Sequence, residues 1–434
     1  MTTSAPVSIA ALLAAGLNPT STSAAATLLA TASADLGCAP TCAWWVPGRI
    51  EVLGKHTDYA GGRVLNCATD LGLVIAAVPS REPLVTITSA GRHLELPLSA
   101  EAPQAQGWGT YASSVVRRLA RHFPGLTTGA RIAIAANLPA AAGMSSSSAV
   151  VIGIHQVIAH LNNIAERADY RAAISGNEDL VVYLGCHENG ASFHGLSGDS
   201  GVGTAGGSQD HAAILLSRAG KLNDWSFNPF HRVDSALWPN NLELTVAVSG
   251  VAAEKTASAR EQFNRVSQRA RDAVAAWNRV SGRTDATLGA AVAAGGAVAV
   301  LAAMPNEDLK RRTEQFIVDA TENIPAAVVA LGANDLTRFG TLVARSHSLA
   351  ETHLENQVPE TRDLVRLARE HGAIAASAFG AGFGGAVWAA FAVGADQPAN
   401  WLAAYRRLHP GQAQASSLHR VRPGPGCTPL HGAS

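Results

Sequence analysis

Charge is scarce in this 434-residue chain: 15% of residues are Asp, Glu, Lys or Arg, and 33 basic side chains cancel 33 acidic ones. A chain without excess charge of either sign has little to attract a polyanion such as nucleic acid. Aromatic residues are also few, at 5%, whereas Gly (41 residues) and Ala abound, a balance that describes a compact α/β protein rather than a disordered one. The five cysteines (Cys38, Cys42, Cys67, Cys186, Cys427) supply neither a paired disulfide framework nor a zinc spacing. Cys38 and Cys42 lie close together but have no two further ligands nearby, so they read as idle or buried thiols. No apolar run approaches the roughly 20 residues that span a bilayer. The first residues lack a basic n-region, and the Ala-rich stretch Ala10–Ala34 is broken by Pro19, so no leader peptide is expected. These absences leave a cytoplasmic globular protein, long enough for two or three domains.

Periodicity predicts one or two short helices over residues 7–36, then short strands near Thr41–Val46, Gly72–Val78, Leu84–Thr88 and His93–Leu98. Tyr111–Phe123 has helical spacing, with Arg117, Arg118 and Arg121 on the side away from the apolar residues. A strand over Arg131–Leu138 leads through Pro139 and Gly143 into a helix from about Ser146 to Leu161, followed by another over Arg167–Leu184. Residues 185–209 are Gly-rich and irregular, and irregular stretches of that length are usually functional or mobile. A strand is expected over Ala212–Leu216 and another over Leu242–Ser249, with a long helix from Ala252 to Val280 and further helices to Glu370. Pro229, Pro239 and two Asn residues interrupt the pattern at 218–241, which divides the chain into domains of residues 1–220 and 241–434.

Residues 47–62 read Pro-Gly-Arg-Ile-Glu-Val-Leu-Gly-Lys-His-Thr-Asp-Tyr-Ala-Gly-Gly. The apolar run carries Arg49 into a turn that holds His56, Thr57, Asp58 and Tyr59. Such a cluster suits a polyhydroxylated ligand, because each sugar hydroxyl needs both a donor and an acceptor. The segment resembles the signature of galactokinases, members of the GHMP small-molecule kinases that include homoserine, mevalonate and phosphomevalonate kinases. The usual wording is Gly-Arg-Val-Asn-Leu-Ile-Gly-Glu-His-Thr-Asp-Tyr, from which this chain departs beyond conservative apolar changes at Glu51 and at Lys55.

A second motif, Pro139-Ala-Ala-Ala-Gly143-Met144-Ser145-Ser146-Ser147-Ser148-Ala149, follows a strand and opens a helix. Free N–H groups at a helix N-terminus and the positive end of its dipole bind phosphate without a lysine. No Gly-Lys-Ser/Thr is present, so this is not a Walker loop. It resembles the galactokinase phosphate loop Pro-x-Gly-x-Gly-Leu-Ser-Ser-Ser, with Ala141 in place of the first Gly. Gly380-Ala-Gly-Phe-Gly-Gly385 lies between strands and is not followed by a helix with the acidic residue of a dinucleotide fingerprint; it is similar to the family's third motif, and packing is as natural a role for it as ligand contact.

Gly206-Gly207-Ser208-Gln209-Asp210 resembles the segment whose Asp is the proposed catalytic base. A sugar hydroxyl must lose its proton as the phosphoryl group transfers, and a carboxylate kept ionised by a nearby guanidinium, Arg49, can take it. Glu188, in Cys186-His187-Glu188-Asn189-Gly190, resembles the Glu-Asn that binds Mg²⁺ together with a phosphate-loop serine, here Ser146 or Ser147; Glu178 is the fallback. One carboxylate and one hydroxyl suffice for Mg²⁺ shared with ATP. The chain carries extra residues, roughly His194–Val202, between Glu188 and Asp210. Ser346-His347, Pro359-Glu360 and Phe263-Asn264 extend the resemblance from about residue 43 to 391.

The resemblance implies a two-domain α/β (α+β) GHMP kinase fold, with a ribosomal-S5-like N-terminal domain and a ferredoxin-like C-terminal domain with extra helices. It implies an ATP- and Mg²⁺-dependent kinase acting on the anomeric hydroxyl of galactose or a related hexose. Asp210 and Arg49 would be catalytic, and Lys55, His56, Asp58 and Gly207 would face the sugar. Gly143, Met144 and Ser145–Ser148 would hold ATP. A glutamate at position 55 is thought to accept from the sugar's C6 hydroxyl; a lysine only donates, which opens the alternative of a hexuronic acid substrate. Lys55 could instead point to solvent or pair with Glu51. A sensor that binds sugar and ATP without catalysis is the reading from another class, and no nucleic-acid or membrane partner is expected.

Overall fold

The computed structural model describes residues 7–139, 142–252, 257–394 and 396–431. Ala140 and Ala141 of the phosphate-loop motif, and the expected start of the long helix near 252, therefore fall partly outside the described residues. Among the described residues the strands are β1 (Cys42–Leu53), β2 (Arg63–Ser80), β3 (Leu84–Ser89), β4 (Arg92–Pro97), β5 (Gly129–Ala136), β6 (Lys221–Phe227), β7 (Phe230–Leu237), β8 (Leu242–Val248), β9 (Ala375–Ala378), β10 (Ala386–Ala392), β11 (Ser417–Val421) and β12 (Thr428–Pro429). They form two sheets. The first has the order β12-β1-β2-β5-β3-β4, and the second β11-β8-β10-β9. β2 is long enough to serve two partners on one edge: Leu73–Ser80 pair with β5, while Arg63–Asn66 pair with β6, which carries β7.

The first sheet is apolar on both faces, as a sheet covered on both sides must be. Trp44, Val46 and Ile75 pack against Val115, Leu119, Val151 and Ile154 of the helices Gly109–His122 and Ser146–Leu161. The alternate residues Ala43, Trp45, Val74 and Ala76 meet the helix Pro19–Leu36. Further along the same strands, Ile50, Val52, Leu65 and Cys67 join Leu244, Val246 and Trp388 of the second sheet, with Ile324, Phe339 and Val343 from helices above it. Each buried Val, Leu, Ile or Phe among them contributes about 1.5–3 kcal/mol. β1 thus runs from one core into the other with all twelve residues buried, and the charged residues it carries sit at the junction.

Three local expectations change. Residues 212–216 are not a strand but part of the helix Gln209–Leu216, because a short apolar run fits a buried strand or a buried helix equally well. Asp210 stands in that helix's first turn, where the dipole favours negative charge. The helix expected over Arg167–Leu184 is two, Ala168–Ala173 and Asn177–Asn189, parted at Gly176. The stretch 218–241 is largely a hairpin: Pro229 stands in the turn between β6 and β7, Pro239 and the two Asn residues stand between β7 and β8, and β12 returns to pair Trp44 and Trp45 with Pro429 and Thr428. The first sheet therefore takes strands from both sides of that boundary.

The extra residues after Glu188 are folded down onto the helix Gly109–His122. Arg118, expected to face outward, is fully buried and donates to the carbonyls of Cys186 (2.5 Å) and Ala191 (2.8 Å) and to Asp199 (3.3 Å). His122 Nε2 meets the Ser197 carbonyl at 2.9 Å. A guanidinium with several donors suits a loop whose carbonyls have no strand partners.

Candidate active site

The register of β1 against β2 shifts between Pro47 and Arg49, and a bulge of this kind re-aims the side chain beside it. Arg49 is turned onto the entry of the helix Ser146–Leu161. Its Nη1 donates to the Gly143 carbonyl at 2.5 Å and its Nε to Asp210 Oδ1 at 2.6 Å. The other Asp210 oxygen accepts from Ser145 Oγ at 2.5 Å. Gly143 (φ 72°) and Ser145 (φ 60°) are both left-handed, which lets the chain fold tightly over the guanidinium before the helix begins. Burial alone would raise the Asp210 carboxyl; the Arg49 charge and the two hydrogen bonds outweigh it and hold the carboxyl below its ordinary value. A quarter of the Asp210 side chain remains open to the cleft. An ionised, partly exposed carboxylate thus stands at the mouth of a helix whose first N–H groups lack intrahelical acceptors.

Glu188 closes the other side. Its Oε1 accepts from Ser148 Oγ at 2.5 Å and lies 3.4 Å from His211 Nε2. The serine brought to Glu188 is therefore Ser148, within the helix's first turn, and not Ser146, which is exposed, or Ser147, which is half-buried. Sequence left the choice between Ser146 and Ser147 and passed over Ser148; on a helix successive side chains point about 100° apart, so neighbouring serines face different partners. Glu178 is exposed in the first turn of its helix and takes no part. Among the described residues no group of three His, Cys, Asp or Glu could hold a metal ion alone. A carboxylate with a hydroxyl beside a phosphate-binding helix end fits the sparse protein ligation of Mg²⁺, which takes its remaining ligands from phosphate oxygens and water.

Arg49, Asp210, Glu188, the loop from Gly143 to Ser148, His56, Asp58 and Gly207 line one cleft of about 270 Å³. Asp58 is 5% exposed, and its Oδ2 accepts from the Gln209 N–H at 3.2 Å. Burial pushes its carboxyl up to about 6, against the pull of that N–H. Gly207 is needed here for space: a Cβ on it would lie 2.2 Å from Asp58 Oδ2. His56 shows the cleft only its ring. Nε2 meets the Ala381 carbonyl at 3.0 Å and must donate, so Nδ1 accepts from the Tyr59 hydroxyl at 2.9 Å. Burial, aided by the Arg312 and Lys55 charges, lowers this imidazole to about 4 despite the carbonyl bond, so it stays neutral. With both nitrogens engaged, His56 shapes the cleft rather than gripping a hydroxyl as expected. Phe263, whose ring lies 5.3 Å from His56, and Tyr111 also line the cleft; no local pattern in the sequence marks either as a cleft residue.

Lys55 is the clearest correction. It is absent from the cleft wall and fully buried beneath it. Its Nζ donates to Ser377 Oγ of β9 at 2.8 Å and lies 3.9 Å from Glu51. Position 55 neither lines the cleft nor reaches solvent, and the motive for a hexuronic acid substrate goes with it. The suggested pairing with Glu51 is what the chain adopts.

Comparison with known proteins gives three family matches. The galactokinase galactose-binding signature matches residues 34–79, the GHMP kinases N terminal domain residues 110–182, and the GHMP kinases C terminal residues 327–400. The galactokinase of Pasteurella multocida is 24% identical over 336 residues, 76% of this chain and 80% of that protein. The galactokinase of Mannheimia succiniciproducens is 24% identical over 351 residues, 79% and 83% respectively. Among solved structures, Lactococcus lactis galactokinase complexed with galactose superposes with a TM-score of 0.77 at 21% identity, covering 93% of this chain and 99% of that one. Methanococcus jannaschii mevalonate kinase does so at 0.55 and 15% identity, covering 88% and 97%.

Proposed function

Because the chain is a galactokinase-like member of the GHMP small-molecule kinases, with their two-domain α/β fold and their transfer of phosphate to an alcohol group, we propose that it is an ATP-dependent sugar 1-kinase acting on galactose or a close relative. Asp210 is the base that receives the anomeric hydroxyl proton. Arg49 keeps that carboxylate ionised and, through the Gly143 carbonyl, fixes the loop that presents the terminal phosphate. The N-terminal amides of the helix Ser146–Leu161 bind ATP phosphates. Asp58 accepts from a sugar hydroxyl, with the His56 ring and Phe263 forming the apolar wall beside it.

Glu188 and Ser148 would hold Mg²⁺, which when bound offsets the negative charge of the phosphates. His211 braces the carboxylate from behind. The observation that carries this reading is the single junction Arg49–Asp210–Ser145, in which one ionised carboxylate faces both the sugar turn and the phosphate helix. The galactose-binding signature over residues 34–79 supports galactose as the first sugar to try. The test is a panel of galactose, glucose, arabinose, galacturonate and glucuronate with ATP and Mg²⁺, following ADP release and the position of the new phosphate. Galactose 1-phosphate as the main product is expected. ADP formation with no sugar in the panel would overturn the reading, and tight sugar binding without ADP would favour the sensor.

A further inference from the structure

The segment 54–62 turns at two left-handed glycines, Gly54 (φ 96°) and Gly61 (φ 76°), and is strained at His56 (φ 57°), which is held left-handed although it carries a Cβ. Strain of this sort persists only where the surroundings over-determine the chain. The restraints on Lys55 and His56 come from residues more than 250 positions away. Gln315 Nε2 donates to the Lys55 carbonyl at 3.1 Å, and Arg312 Nη2 to the His56 carbonyl at 2.6 Å. The His56 ring is tied to the Ala381 carbonyl, and the Lys55 ammonium to Ser377. Three of these restraints use a backbone group. The fourth is a buried ammonium, which costs free energy unless it is paired. Its acidic neighbours are Glu51, with no exposed surface, and Asp319, itself satisfied by Gln315, Asn323 and Ser346. Glu51 and Lys55 are also the two charged departures from the usual signature wording, and they lie 3.9 Å apart. Burial raises the Glu51 carboxyl to about 7, and Lys55 is the larger of the two cationic influences that oppose this, ahead of Arg49.

We propose that Lys55, paired with Glu51 and bonded to Ser377, is a positioning residue that holds the sugar-site turn in its strained shape against the second sheet. It acts on the substrate through Asp58 and His56, without touching it. The inference rests on the sugar-kinase reading for its kinetic test only.

The experiment takes the full chain with Lys55→Met, Ser377→Ala and the double variant Glu51→Gln/Lys55→Met. Amide hydrogen exchange over residues 55–62 is expected to accelerate in Lys55→Met while the helix Ser146–Leu161 keeps its protection; this readout needs no substrate. In kinetics the sugar KM is expected to rise about tenfold or more, the scale of a slightly misplaced binding group, with ATP KM nearly unchanged. The preference among sugars should also stay as in the unmodified protein, since a group that does not contact the sugar cannot read it. The double variant should recover part of the loss by removing the acid that loses its main cationic neighbour. Unchanged exchange at 55–62, parallel rises in sugar and ATP KM, a shifted sugar preference, or no recovery in the double variant would each overturn the proposal. Should Lys55→Met fail to fold, Ser377→Ala removes only a hydroxyl at the other end of the bond and is judged by the same exchange and KM criteria. If the unmodified protein phosphorylates no sugar, the functional reading fails, and the exchange measurement still decides the positioning claim.

Discussion

Arg49 and Lys55 stand six residues apart on one strand and turn, and both are buried cations beside a carboxylate, yet they do different work. Arg49 sits where the bulge in β1 opens onto the cleft, and its partner Asp210 keeps a quarter of its side chain exposed. Lys55 is turned from the cleft onto Ser377 of the second sheet, and Glu51, with no exposed surface, feels the charges of both Lys55 and Arg49. The chemistry of a charged pair is set by what its acid can still reach. An exposed edge leaves Asp210 free to exchange protons, whereas enclosure raises the Glu51 carboxyl to about 7 against the pull of the Lys55 and Arg49 charges.

That contrast can be broken most forcefully at Asp210. Asp210→Asn should lower kcat by about 10²–10⁴-fold, the usual cost of losing a positioned base, while sugar binding by calorimetry persists. Next comes Gly207→Ala, whose Cβ would meet Asp58 Oδ2 at 2.2 Å; a displaced Asp58 should raise the sugar KM by up to about 10²-fold and leave ATP KM alone. Ser148→Ala should raise the Mg²⁺ concentration needed for half-maximal rate by about 10-fold, a cost typical of lost ligand support, whereas Ser146→Ala, an exposed side chain, should change it little.

The smallest effect expected is in pH dependence. Asp58 has its carboxyl raised to about 6, so below that pH it gains a proton and ceases to be a charged acceptor. Asp210 is shifted the other way and remains ionised there. As pH falls from 7 to 5, the sugar KM should therefore climb several-fold while kcat holds. In stability terms, the raised Asp58 value contributes most below its ordinary carboxyl range, and that contribution is lost as pH rises through 6. A kcat that falls in step with the KM change would mean that Asp210 lacks the protection assigned to Arg49.

Much of the site was legible because its parts are contiguous. Arg49, Asp58, Gly143 and Asp210 each lie in a short segment whose residue types already suggest a hydroxyl, a phosphate or a proton. What could not be read was direction. The side of the turn to which Lys55 points depends on Ser377, over three hundred residues away. The choice of Ser148 over its neighbours depends on where Glu188 arrives. The burial of Arg118 depends on carbonyls of a loop with no periodicity of its own. The fold was legible where one face was apolar and failed where a short apolar run was covered on all sides, as in Ala212–Leu216.

β12 closes the edge of the strand that carries Arg49, and it does so with residues 428 and 429. During synthesis the backbone of Trp44 and Trp45 must therefore wait, open along one edge, until nearly four hundred further residues have left the ribosome. An unpaired strand edge beside large apolar side chains is a template for faulty association. The edge of the N-terminal sheet is thus completed by residues that reach it among the last.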